Sequence, residues 1–222
     1  MKKPTRWFFA ALLAGVVGVP ALGPAADNPP ALTVEAIAQK VADAQSAAQD
    51  VQMDLKMRLQ DALSGQVQEV QGLVKLKNPD LIYAHYTKPS EQFLYINGTL
   101  AQMYQPAQNM VYRQQAADGT PVYLGVGQEL KRYCSTCKVL IDGESGDEVT
   151  LRFTPKAPGG SFDKMKVTIR KKDWWPVRME VWTPSMVTRA EFSNFKFDQG
   201  LDAQLFHFTR PKGADLVEGA IF

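Results

Sequence analysis

The sequence predicts an α+β domain built on one large, strongly bent antiparallel sheet of about ten or eleven short strands. Three observations carry that expectation. One amphipathic stripe with three- and four-residue spacing lies near the start of the chain. From Val51 onward the apolar period switches to two. Turn-forming pairs such as Ser64-Gly65 and Asn97-Gly98 then punctuate the rest.

The elements follow in order. Lys2, Lys3 and Arg6 precede an apolar run from Trp7 to Leu22, and small residues stand at Gly23 and Ala25. This pattern reads as an export signal over 1–25, cleaved after Ala25 or Ala26, leaving one domain over 27–222. A membrane anchor is the competing reading, but the run is marginal in length and Pro20 and Pro24 break its end. No Cys follows the run, so the mature chain is expected to carry no lipid of its own, and no second long apolar stretch is present.

Thr33 is the expected N-cap of a helix whose stripe is Val34, Ile37, Val41, Ala44 and Ala48. Val51, Met53, Leu55, Met57 and Leu59 then alternate with polar residues, the mark of a strand with one face buried and one wet. Val67 to Leu76 returns as its partner, and Asn78-Pro79-Asp80 is a corner because proline donates nothing to a ladder. Strands are expected at Leu81–Thr87, Gln92–Ile96, Thr99–Tyr104 and Met110–Arg113, with Asn97-Gly98 as a two-residue hairpin. Val122, Tyr123, Leu124, Val126 and Leu130 form an apolar helical patch behind Thr120-Pro121. Gly125 and Gly127 weaken it by about 1 kcal/mol each relative to alanine, as suits a movable cover. Strands resume at Lys138–Ile141, Val149–Thr154, Lys164–Arg170, Val177–Thr183, Thr188–Phe197 and Leu205–Arg210.

Charge excludes a nucleic-acid footprint. The chain has 25 Lys+Arg against 23 Asp+Glu, and loss of the leader's three bases leaves it near neutral. Cys134-Ser135-Thr136-Cys137 is the one thiol pair. It reads foremost as a small structural disulfide or as plain loop thiols, with a redox pair and a metal half-site as the alternatives. A redox motif wants a strand-then-helix context, and here a strand follows instead. A zinc site wants four ligands, whereas the two histidines, His85 and His207, are distant in sequence. Neither histidine has a nucleophile beside it, so no catalytic set, metal or cofactor is expected.

Several segments together resemble a known family, the periplasmic outer-membrane lipoprotein carriers of LolA type. They are Gln68-Glu69-Val70-Gln71-Gly72 leading to Lys77-Asn78-Pro79-Asp80-Leu81, then Pro89, then Asn97-Gly98 with Tyr104 and Pro106. Thr120-Pro121, Phe153-Thr154-Pro155-Lys156-Ala157 and Phe206-His207-Phe208-Thr209 with Pro211 and Gly213 complete the series. The resemblance implies an unclosed β-barrel covered by helices. It also implies a hydrophobic cavity that takes the acyl chains of lipoproteins and ferries them through the periplasm. The implied partners are acylated lipoprotein cargo, an inner-membrane lipoprotein-releasing transporter and an outer-membrane acceptor, with the carrier a monomer that is not an enzyme.

Carried over residue by residue, the acyl-chain cavity is expected at Ile82, Ala84, Tyr86, Leu94, Ile96 and Tyr104, and the lid at Val122, Tyr123 and Leu124. Where the family commonly has an arginine before the corner proline, latching the lid, this chain has Asn78, which offers fewer donors and no charge. Two other readings stand beside the carrier: a lipid- or lipoprotein-sensing binding protein of the same fold, and a thiol-redox protein using Cys134 and Cys137.

Overall fold

The structure, a computed structural model, describes residues 32–77, 80–115, 130, 133–157, 159, 162–219 and 221, all within the unit Leu32–Phe222. Its first element is the expected helix α1 (Val34–Ala47), opened by Thr33, whose Oγ1 accepts the Ala36 N–H at 3.2 Å. That bond satisfies one of the donors a helix start leaves unpaired. The stripe does its work at Ile37, Ala38 and Val41, all buried.

Period-two sequence then gives strands. They are β1 (Asp50–Asp61), β2 (Val67–Lys77), β3 (Leu81–Lys88), β4 (Gln92–Asn97), β5 (Leu100–Gln105) and β6 (Met110–Gln115). After a second helical stretch that includes 133–136 come β7 (Cys137–Ser145), β8 (Glu148–Pro155), β9 (Lys164–Arg170), β10 (Trp175–Trp182), β11 (Met186–Phe197) and β12 (Asp215–Glu218). All twelve form one sheet in the order β12-β6-β5-β4-β3-β2-β1-β11-β10-β9-β8-β7. β12 and β7 do not pair, so the sheet is unclosed.

Two expectations change. The sheet is mixed rather than wholly antiparallel, because β12 joins β6 in parallel. Leu205–Arg210 is not a strand: Ala203–Phe206 is a 3₁₀ turn capped by Asp202, whose Oδ1 accepts the Gln204 N–H at 2.9 Å. The alternation of Phe206 and Phe208 imitates a strand, but both rings serve a strap that crosses the sheet.

Bulges supply the bending that a large open sheet needs. Register breaks fall in β1 opposite β11, in β2 at Gln71/Gly72, in β10 at Pro176/Arg178 and in β7 at Ile141/Gly143. At the first of these, Asn194 takes φ of 54° and its Nδ2 donates to Asp54 Oδ2 at 2.7 Å. Asparagine tolerates that left-handed backbone better than most residues. The β1–β2 hairpin is fixed by Asp61, which accepts from the Leu63 and Ser64 N–H groups at 3.0 and 2.6 Å. Chiefly the Ser64 backbone bond holds the Asp61 carboxyl below the usual carboxylate range.

The strap starts at Asp50. Its carboxylate accepts the backbone N–H of Gln199 and of Leu201, each at 2.8 Å, while Lys77 Nζ reaches Leu201 O at 2.9 Å. The chain then runs over β3 and β4, buries Phe206, and ends as β12 on β6. Among the described residues no helix is long and apolar enough to cross a membrane.

Candidate functional site

Directly opposed residues in an antiparallel ladder share a face. One rung therefore runs from β2 to β7 as Val70, Met57, Ala190, Met179, Val167, Leu151 and Ile141. A second runs Met53, Val74, Ala84, Leu94, Met103 and Tyr112 from β1 to β6. Both rungs lie on the same side, so the sheet has one continuous apolar face.

That face is covered in two ways. Over β8, β9 and β10 it meets α1: Ile37, Ala38 and Val41 pack with Leu151, Val167, Met179 and their neighbours in one buried cluster. The stretch 133–136 adds Tyr133, edge-on to Phe153 at 5.9 Å and to Phe162 at 5.7 Å. Over β1 to β5 and β11 a second cluster gathers Met53, Leu55, Val70, Val74, Ile82, Ala84, Tyr86, Leu94, Ile96, Ala101, Met103, Ala190 and Phe192. Every one of these stands on a strand. Among the described residues, what packs on this cluster from outside the sheet is Ile221.

Five of the six residues expected in a cavity fall in this second cluster. Ile82 opposes Ile96 and Ala84 opposes Leu94, with Tyr86 one step along on the same face, and all five are buried. Burial alone pushes the Tyr86 phenol well above its ordinary range, so it stays neutral. Gly72 lies across from Tyr86, and the two strands approach so closely there that a Cβ would sit 2.4 Å from His85 O.

Tyr104 is a correction. It opposes Phe93, on the other face of the sheet, with ring centroids 6.4 Å apart, and it meets Phe208 of the strap at 6.3 Å. Met103 and Ala101 take its place on the apolar face. The signal lies in the sequence: Tyr104 has the parity of Phe93 across the Asn97-Gly98 hairpin whichever residue starts the turn. The family motif points to the wrong side here.

The outer face of the same strands carries an aromatic layer. Tyr83 meets Tyr95 at 5.2 Å, His85 stacks on Phe93 at 4.5 Å, and Tyr95 meets Phe208 at 5.1 Å. His85 Nε2 is 3.0 Å from Glu91 Oε1. These side chains tie the strap down and have no access to the apolar face.

Asn78, Val122, Tyr123 and Leu124, expected as latch and lid, lie outside the described residues, as does the leader over 1–25. Cys134 and Cys137 are both free thiols in the structure. Cys137 is buried in the α1 cluster with Cys134 against it. Burial pushes both thiols up, which disfavours the thiolate that redox exchange requires. Among the described residues no group of three or more His, Cys, Asp or Glu side chains could hold a metal ion.

Comparison with known proteins agrees with this geometry. The family model described as outer membrane lipoprotein carrier protein LolA matches residues 47–209. The chain belongs to the LolA family. An outer-membrane lipoprotein carrier protein of Methylibium petroleiphilum is 32% identical over 149 residues, covering 66% of this chain and 71% of that protein. One from Pseudomonas aeruginosa is 29% identical over 161 residues, covering 71% and 76%. In fold, the chain is similar to an uncharacterized conserved protein from Thermus thermophilus, with a TM-score of 0.54 and 17% identity over 82% of this chain and 99% of that one. The matched family span includes β1 to β11 and the strap as far as Thr209, so the strands of both clusters lie within it, whereas Ile37, Ala38 and Val41 of α1 and Ile221 lie outside.

Proposed function

We propose that this chain is a periplasmic carrier that shields the acyl chains of lipoproteins and ferries them from the inner to the outer membrane. The observation that carries the reading is the second cluster, an apolar sheet face to which α1 contributes nothing. Family membership supports this reading, since the matching relatives are named outer-membrane lipoprotein carriers.

The energetics make a carrier necessary. Each methylene taken from water is worth about 0.8 kcal/mol, so one chain of about fifteen costs on the order of 10 kcal/mol to expose. An anchor with more than one chain cannot cross an aqueous gap unaided. Ile82, Ala84, Tyr86, Leu94 and Ile96 line the acyl site, with Ala101 and Met103 beside them, while Val122, Tyr123 and Leu124 form its lid and Asn78 latches it. Release downstream requires that the fit be imperfect and the cover easy to open.

Residues 1–25 direct export and are removed, leaving 27–222 as a single working domain. The carrier acts as a monomer between a lipoprotein-releasing transporter in the inner membrane and an acceptor at the outer membrane, and catalyses no reaction. The test is capture of the tagged protein from periplasm followed by mass spectrometry. Acylated proteins enriched over a charge-matched control support the reading; recovery of unacylated proteins alone overturns it.

A further inference from the structure

Gln114 is a polar side chain at the end of an apolar rung. Opposed residues run Leu76, Ile82, Ile96, Ala101, Gln114 from β2 to β6, which puts its amide on the face of the second cluster. Its Oε1 accepts the backbone N–H of Ile221 at 2.8 Å, and the Ile221 side chain packs on that same cluster, half-buried. The chain reaches this position by a fixed route. β12 runs beside β6, Arg113 Nε donates to Glu218 Oε1 at 2.8 Å, and the Gly219 N–H donates to Arg113 O at 3.0 Å. Beyond Gly219 the next backbone donor described, that of Ile221, turns to a side chain, Gln114, on the apolar side. An amide N–H and a branched alkyl group are thus presented together to an apolar face that ends in one polar acceptor.

We propose that Gln114 is the recognition point for the amide of N-acylated cargo, and that Ile221 is an internal stand-in which this cargo displaces. The proposal rests on the carrier reading above. An alkyl chain attached through an amide offers the two features Ile221 now supplies: a donor for Oε1 and hydrocarbon for the cluster. An alkyl chain attached through an ester offers only the second, and leaves the Gln114 carbonyl without a donor at an apolar site. Gln114 therefore discriminates by linkage rather than by chain. Ile221 competes weakly because it is only half-buried, lowering cargo affinity by a modest factor and reoccupying the face when cargo leaves.

The test uses the mature protein, Ile221→Ser, Gln114→Leu and the double variant. Each is titrated with two dye-labelled peptides of the same sequence, one palmitoylated through an amide and one through a serine ester. Ile221→Ser is expected to bind both probes about fivefold more tightly. Wild type is expected to prefer the amide probe by about fivefold, and Gln114→Leu to lose that preference while still binding both. Saturable binding by all four proteins with the same affinities and the same amide-to-ester ratio overturns this inference and leaves the carrier reading standing. No binding of either probe by any of the four overturns the carrier reading and this inference with it.

Discussion

The two halves of the apolar face differ in who covers them. Over β8 to β10 the chain supplies its own helix, and Ile37 and Val41 seat against Leu151, Val167 and Met179 as a filled core. Over β1 to β5 and β11 the cluster is made by strands alone, with Ile221 the one described residue that reaches it from elsewhere. The composition of the halves is alike, with valine, leucine, isoleucine and methionine in both. The difference is topological: α1 precedes β1 yet is spent on the far half, contacting β7 and β10. A fold that secures one half with a permanent helix can leave the other to an exchangeable occupant without losing its frame.

That contrast can be broken from either side. The largest effect is expected in the filled half, where Val167 is fully buried between Met179 and Leu151 under α1. Val167→Phe overpacks a close-packed site and should cost about 3 kcal/mol, read as a shift of the denaturant midpoint. A smaller loss follows at Gly72 in the strand-made half. An added Cβ would lie 2.4 Å from His85 O and 2.9 Å from Tyr86 Cα, both backbone atoms that move only if β2 and β3 separate. Gly72→Ala should cost about 2 kcal/mol in the same measurement, and it should disturb acyl-probe binding because Tyr86 moves with its strand.

The smallest effect is electrostatic and belongs to the outer side of the filled half. Asp142, at the β7 bulge, accepts Lys166 Nζ at 2.7 Å and faces Arg152 Nε at 3.2 Å. The Lys166 hydrogen bond above all holds its carboxyl below the usual carboxylate range. A folded-state pKa depressed in this way contributes stability above the unfolded value and loses it as pH falls through the folded one. Asp142→Asn should therefore melt slightly below wild type at neutral pH, and the gap should shrink below the ordinary carboxylate range and in high salt. An equal gap at every pH would remove Asp142 from the account.

Much of this is readable from residues because local signals agree with the final structure. The Thr33 cap, the alternation of Val51 to Leu59 and the turn after Asn97 each name their element without help from distant contacts. β12 is not readable: Asp215–Glu218 is only four residues long with a charged residue at each end, and it is a strand only because β6 lies beside it. The strap misleads for a related reason, since Phe206 and Phe208 alternate like strand residues but are held by Asp50 and by an aromatic layer far off in sequence. Of the expected cavity residues, all carried over from the family resemblance, Ile82, Ala84, Tyr86, Leu94 and Ile96 agree with strand parity and come together. Tyr104 follows from a motif against its parity and does not join them. Gln114 and Ile221 give no signal, because their meeting depends on the route of the last strand.

Ala84 is the position where the contrast is tested most directly, being fully buried between Val74 and Leu94 at the centre of the strand-made cluster. Stability and bound acyl probe should be measured together for Ala84→Leu, with Val167→Phe as the reference. If this half is held for an occupant, Ala84→Leu keeps a near wild-type denaturant midpoint and loses most of its capacity for probe. A midpoint that falls as far as that of Val167→Phe, with probe capacity unchanged, would mean the face is ordinary core and would contradict the account.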